Sequence, residues 1–185
     1  MQPVFETERL RLRPFELTDA RTVQELAGDL AVARTTLSIP HPYTLEAAEQ
    51  WLTACIGRKD EGDGYPWAMV IKDSNQLIGC MSLNITRPHN HGELGYWIGP
   101  PYWRNGYASE AAQRLVRYGF EDLHLNKIWA AALSNNQASW NVMRKTGMAL
   151  EGEFKQHILK WGQYEDVVFY GMTKGDYEQL TKQTI

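Results

Sequence analysis

From Ala108 onward, apolar or small residues recur as Ala108, Ala111, Ala112, Leu115, Val116, Gly119 and Phe120, at offsets 0, 3, 4, 7, 8, 11 and 12. A period of 3.6 residues puts all of them on one stripe, so the chain must provide a surface for a long amphipathic helix, expected over 108–121. Before it stands the loop Gly99-Pro100-Pro101-Tyr102-Trp103-Arg104-Asn105-Gly106-Tyr107, and before that a strand, Glu93–Ile98. After it, Lys127–Leu133 is a continuous apolar run, expected as a strand buried on both faces. Strand, helix and strand in this order predict a parallel pair, 93–98 beside 127–133, with the helix as a right-handed crossover.

The flanking sequence reads as more strands and helices. Arg9-Leu10-Arg11-Leu12-Arg13 alternates with period two, a half-buried strand ended by Pro14. Thr18 or Asp19 is expected to cap a helix running to Gly28. Residues 35–43 form a loop with two prolines, and Thr44 begins a second helix with Ala48, Trp51, Leu52, Cys55 and Ile56 on its apolar face. Asp60-Glu61-Gly62-Asp63-Gly64 is a polar break. Trp67–Ile71 and Leu77–Ile85 flank a turn and join 93–98 in an antiparallel meander. A short helix from Ala138 stops at Gly147, and strands Glu153–Leu159 and Tyr164–Met172 meet through Trp161-Gly162-Gln163. The class is α/β, and 185 residues suit a single domain over 1–185 at about 150 residues per domain.

Composition excludes several function classes. A net charge of −3 gives none of the basic excess that a nucleic-acid partner favours. Cys55 and Cys80 are too few for a disulfide framework and read as half-buried thiols in a reducing cytoplasm. The start, Met1-Gln2-Pro3-Val4-Phe5-Glu6, lacks the basic and apolar regions of a signal peptide. The longest apolar run, Ile128–Leu133, is far short of the ~20 residues that span a bilayer, so no membrane partner is expected.

The loop before the long helix carries the chemistry. A helix N-terminus presents unpaired amides and a positive dipole end, and Gly106 lets a ligand approach the backbone. Amides of Arg104, Asn105, Gly106, Tyr107, Ala108 and Ser109 can cradle a phosphate or pyrophosphate; the plain alternative is a tight turn. The loop is neither a Walker P-loop nor a G-x-G-x-x-G turn. His89-x-His91-x-Glu93 has metal-ligand chemistry, but with no second ligand pair it reads as a solvated turn, and no metal is expected. Trp67, Trp97, Trp129, Trp140 and Trp161 read as core or sheet-edge aromatics, with Trp161 also placed to line a cleft from a hairpin tip.

Several stretches together resemble the GNAT superfamily of acyl-CoA N-acyltransferases, and more narrowly the RimJ/RimL type of ribosomal-protein N-terminal acetyltransferases. They are Glu93-Leu94-Gly95-Tyr96-Trp97-Ile98, Tyr102-Trp103-Arg104-Asn105-Gly106-Tyr107-Ala108-Ser109-Glu110-Ala111, Asn136-Gln137-Ala138-Ser139, Val142-Met143-Arg144-Lys145-Thr146-Gly147-Met148 and the opening Glu6–Pro14. The resemblance implies a mixed, mostly antiparallel sheet with a splayed parallel strand pair and flanking helices. The pantetheine arm of acetyl-CoA would enter the gap, an amide near Trp97 or Ile98 would hold the thioester oxygen, the 104–109 amides would hold the pyrophosphate, and Asn136 would bond the cofactor arm. Two positions depart from the family. Trp103 stands where Gln or Arg is expected, and Met143 stands where many members carry the tyrosine that protonates the leaving thiolate.

Ser139 resembles the serine given the thiolate role in the ribosomal-protein group; otherwise it is a helix N-cap. Glu93 is the leading candidate base, taking the amine's proton through a water, against the plain reading of a solvent-facing strand residue. Glu151, Glu153 and His157 are secondary candidates, and His41 and Tyr43 lie where the family meets its acceptor. The expected activity is acetyl transfer from acetyl-CoA to an amine, a protein or peptide α-amine above all, by direct attack in a ternary complex. The alternatives are a non-catalytic acyl-CoA-binding or sensor module and an enzyme that binds a nucleotide phosphate at the Gly106 loop. A homodimer is compatible with all of these.

Overall fold

The structure is a computed structural model that describes residues 2–57 and 64–182. The described strands are β1 (Phe5–Glu6), β2 (Leu10–Arg13), β3 (Gly64–Ile71), β4 (Leu77–Thr86), β5 (His91–Ile98), β6 (Lys127–Leu133), β7 (Ala149–Lys160) and β8 (Gln163–Thr173). They form one sheet in the order β1-β2-β3-β4-β5-β6-β8-β7. The helices are α1 (Ala20–Ala27), α2 (Leu30–Thr35), α3 (Leu45–Gly57), α4 (Tyr107–Arg117), α5 (Gln137–Lys145) and α6 (Lys174–Lys182). Every described junction is antiparallel except β5–β6, where α4 makes the crossover as the periodicity requires.

The β5–β6 ladder is short. His91 pairs with Lys127, Gly92 with Ile128 and Glu93 with Trp129, and there the pairing stops. Both strands continue, to Ile98 and Leu133, so they diverge into a V with Glu93 at its vertex.

Strand alternation gives the sheet two apolar faces. On one, Leu10, Leu12, Leu83, Leu94 and Ile128 meet Ala111, Ala112, Leu115 and Val116 of α4. On the other, Ala68, Val70 and Cys80 meet Val23 and Ala27 of α1 and Ala48 and Leu52 of α3. Fully burying a side chain such as Leu115 or Leu52 contributes about 1.5–3 kcal/mol, which is why the stripe read from α4 settles on the sheet.

Several expectations are corrected. Asp19 holds the N-cap position of α1, but its side chain makes no capping bond; Arg13 Nη1 and Nη2 each donate to its carboxylate at 2.8 Å, and the Glu16 amide donates at 2.9 Å. The helix α2 was not foreseen; Asp29 caps it by accepting from the Ala31 amide at 2.7 Å. Ile56 is 50% exposed, so the buried face of α3 stops short of it. The strand β6 is not buried evenly on both faces: Ile128, Ala130 and Ala132 are buried on one, while on the other Lys127, Trp129 and Ala131 are half-buried and only Leu133 at its end is buried. The long helix ends in a wider π turn, Tyr118–Asp122, and α6 follows β8 without a sequence signal strong enough to foresee it.

Other expectations hold. Thr44 Oγ1 accepts from the Ala47 amide at the start of α3. Gly147, with φ at 91°, lets the amides of Gly147 and Met148 return to the carbonyls of Arg144 and Met143, which closes α5 as predicted. Most of the polar break, 60–63, lies outside the described residues; Gly64 opens β3. No described helix is long and apolar enough to cross a membrane.

Candidate active site

A cavity of about 1370 Å³ follows the divergence of β5 and β6. Its walls are β5 from Glu93 to Ile98, Ala131 and Ala132 of β6, the N-terminal ends of α4 and α5, and the segment from Thr35 to Tyr43 above α3. Of the site residues nominated from sequence, Glu93, Trp97, Ile98, Arg104, Gly106, Tyr107, Ala108, Ser109, Asn136 and Ser139 all line it.

Asn105 does not line it. Its side-chain amide donates to the carbonyls of Tyr102 and Trp103 at 3.2 and 3.1 Å, and its own carbonyl accepts from Arg9 Nη1 at 2.9 Å. It shapes the loop from behind. Arg104 and Gly106 both take left-handed backbone, with φ at 64° and 81°. The first hydrogen bond of α4 runs from the Glu110 amide to the Gly106 carbonyl, so the amides of Tyr107, Ala108 and Ser109 leave the helix end toward the cavity. Arg9 braces this loop in a way no local pattern showed. It forms an ion pair with Glu110 at 2.7 Å and lies 4.7 Å over the Tyr107 ring. Burial works against the Glu110 carboxylate, but bonds from Thr7 and Arg9 still hold its pKa below the ordinary value.

Peptide groups alternate sides along a strand. The Gly99 amide donates to Ile78 of β4 at 2.9 Å, so the Trp97 peptide also faces β4 while those of Tyr96 and Ile98 face the gap. Of the two amides nominated for the thioester oxygen, Ile98 is therefore the one turned toward the cleft. Trp103 Nε1 donates to the Ile98 carbonyl at 2.6 Å, so the residue that departs from the family pattern ties the loop to the strand end.

Side chains alternate too. Leu94, Tyr96 and Ile98 point to the α4 face, and Trp97 packs with the α1–α3 cluster. Glu93 shares the parity of Trp97, so it opens on the α1–α3 side, where burial pushes its carboxyl pKa up. Ser139, in the first turn of α5, lies on the α4 side, where its Oγ is 3.0 Å from the Tyr96 hydroxyl. Ser139 is not the cap of α5: Asn136 is, accepting from the Ser139 amide at 3.2 Å. The Asn136 side-chain amide donates to Thr35 O at 2.9 Å, so both its polar ends are engaged within the protein. Met143 is 1% exposed, in the core and away from the cavity wall.

Tyr43 lines the cavity and His41 does not; His41 stands 6.3 Å, ring to ring, from Trp161. The β7–β8 hairpin reaches this region through Lys160, which donates to Ala33 O at 2.6 Å and to Thr36 O, with burial lowering its pKa. The secondary candidates fall elsewhere: Glu151 pairs with Lys127, Glu153 pairs with Lys155, and His157 packs beside Phe154 and Phe169. In the His-x-His-x-Glu stretch, His91 Nδ1 accepts from Trp129 Nε1 at 3.1 Å. Neither Cys55 nor Cys80 is in a disulfide; Cys80 is buried rather than half-buried, and burial pushes its thiol pKa well up.

A sheet split between two parallel strands, with a helix N-terminus aimed into the split, suits an enzyme that threads a long phosphate-bearing donor between two layers. That class is the acyl-CoA transferases. The family model for the acetyltransferase (GNAT) domain matches residues 9–149, and the chain belongs to that family. It is 31% identical over 175 residues to the uncharacterized N-acetyltransferase YoaA of Bacillus subtilis, covering 94% of this chain and 98% of that one. It is 27% identical over 160 residues to the spermidine N(1)-acetyltransferase of Escherichia coli, covering 86% and 83%. The crystal structure of a GNAT-family acetyltransferase from Bacillus anthracis superposes with a TM-score of 0.84 at 30% identity, over 94% of this chain and 99% of that one. Ribosomal-protein acetyltransferases stand among its other relatives and structural neighbours. The family's donor is acetyl-CoA, and the cleft and the α4 amides fit such a molecule.

Proposed function

We propose that the chain works as a single N-acetyltransferase domain in the cytoplasm and that its acceptor is a protein or peptide α-amine. The observation that carries this reading is the placement of Glu93 and Ser139 on opposite faces of one split sheet. An acyl transfer needs a proton acceptor on the side the amine enters and support for the thiolate on the side it leaves. Glu93 takes the amine's proton, through a water, on the α1–α3 side. The Ile98 amide stabilises the developing oxyanion. Ser139 supports the departing sulfur on the α4–α5 side, and the amides of Tyr107, Ala108 and Ser109 hold the pyrophosphate. Asn136 serves by capping α5, and its turn toward the cofactor arm would first require release of Thr35.

The α-amine is favoured on acidity. An α-amine has pKa about 7.7–8.0 and a lysine about 10.4, so at neutral pH a lone carboxylate suffices for the first and less well for the second. A polyamine is the competing acceptor, as for the spermidine relative. The experiment is thiol release from acetyl-CoA across a panel of peptides, lysine derivatives and polyamines. Thiol is expected with a free peptide N-terminus and not with the same peptide N-acetylated. Acetyl-CoA binding without thiol release from any amine would support the sensor module instead.

A further inference from the structure

Tyr96 sits midway along the part of β5 that has left the β6 ladder, between Leu94 and Ile98 on the face turned to α4 and α5. Its neighbours on that face bring only hydrocarbon; Tyr96 brings a hydroxyl. That hydroxyl donates to the Ser139 carbonyl at 2.8 Å and lies 3.0 Å from Ser139 Oγ. The contact crosses from one wall of the V to the helix that follows the other wall, and both residues line the cavity. Burial raises the phenol pKa, so Tyr96 keeps its proton at any working pH and remains a donor.

We propose that Tyr96 is a positioning residue that presents the Ser139 hydroxyl to the departing sulfur of acetyl-CoA. The inference rests on Ser139 being the group that supports the thiolate. In the transfer, the carbon–nitrogen bond forms, the carbon–sulfur bond breaks with its electron pair on sulfur, and the amine's proton goes to Glu93. An alcohol is a much weaker acid than a thiol, whose pKa is about 8.5, so Ser139 helps by hydrogen-bonding the thiolate rather than by giving up its proton. A serine hydroxyl has one hydrogen and rotates freely. The phenol also has one hydrogen, so its donation to Oγ replaces its bond to the Ser139 carbonyl; it then occupies a serine lone pair, which leaves the serine hydrogen free for the sulfur, and the two linked bonds polarise each other. Met143, in the tyrosine's usual place, offers no competing donor.

The test is a double-mutant cycle read in kcat and KM. Tyr96→Phe keeps the ring and is expected to lower kcat about tenfold, the scale of one hydrogen bond, with KM for acetyl-CoA unchanged. Ser139→Ala is expected to lower kcat at least as much, and Tyr96→Phe added to it should cost nothing further. Ser139→Thr keeps the hydroxyl and should keep the dependence on Tyr96. A full multiplicative loss in the double variant would overturn the inference and leave Ser139 in place, because Ser139→Ala retains the carbonyl through which Tyr96 could merely brace α5. Wild-type kcat in Tyr96→Phe would overturn it as well. Wild-type kcat in Ser139→Ala would remove the Ser139 reading itself, and the role of Tyr96 with it. Thermal melts of each variant separate misfolding from these outcomes.

Discussion

Glu93 carries two predictions of opposite sign. Glu93→Gln should lower kcat by about 10²-fold, the usual scale for a general base, with acetyl-CoA affinity unchanged. Part of the rate should return as pH rises past the amine's own pKa, and steady-state kinetics across pH check this. Stability should move the other way. Burial raises the Glu93 pKa above its unfolded value, so its favourable contribution is present below the unfolded pKa and is lost as pH rises through the folded one. Glu93→Gln removes a carboxylate that must be desolvated at neutral pH. Its melting temperature should therefore exceed wild type at pH 7.5, and the gain should vanish near pH 3.5. A carboxylate at a strand start was legible as a candidate base because its residue type suits the chemistry. Tyr96 was in view in the same motif and carried no such signal, since an aromatic on a strand face reads as core until its hydroxyl is seen beside Ser139.

At the scale of elements, the turn into α4 and the junction of β2 with α1 each rest on a few atoms. Gly106 holds φ at 81°, where a side chain is strained whatever the space, and a Cβ there would come within 3.5 Å of the Arg9 guanidinium. Gly106→Val should weaken acetyl-CoA binding by more than tenfold, or about 1.4 kcal/mol, in a folded protein; titration calorimetry measures it. Arg13 and Asp19 tie the end of β2 to the start of α1. Asp19 is 7% exposed, and its bond raises the Arg13 pKa. Asp19→Ala leaves a half-buried guanidinium without its partner and should cost about 3 kcal/mol. Thermal unfolding should show this as a fall of several degrees, at about 2–4 °C per kcal/mol for a chain of this size. Period and cap chemistry made α3, α4, β2 and β6 readable. The six-residue α2 is too short for a periodic signal, and α6, with no buried residue, has no apolar stripe to read.

For the whole molecule, the consequence is a division of labour across the sheet. In the proposed mechanism the amine meets Glu93 from the α1–α3 side, and the sulfur leaves toward Ser139 on the α4–α5 side. With one carboxylate placed at the vertex, turnover should depend on how much neutral amine the acceptor itself supplies. Peptides with a free α-amine should give higher kcat/KM at pH 7 than N-acetylated peptides whose only amine is a lysine, and the gap should narrow toward pH 9. A preference for lysine at pH 7 would refute the acceptor assignment while leaving the transferase in place.

What the chain encodes locally was decided by the sequence alone. The stripe of α4, the glycine at its start and the apolar run of β6 dictate a strand–helix–strand unit, and right-handed crossover then dictates the parallel pair. These depend on residues a few positions apart, where periodicity and turn chemistry act. Tertiary packing decided the rest. The vertex at Glu93 and Trp129, the Arg9–Glu110 brace, the Asn136–Thr35 bond and the Tyr96–Ser139 contact each join distant segments, separated by 101 residues for Arg9 and 43 for Tyr96. No local pattern selects such partners. They meet because burying both faces of one sheet brings its strands and helices into register, and only at that point does the side of the sheet on which each group acts become fixed.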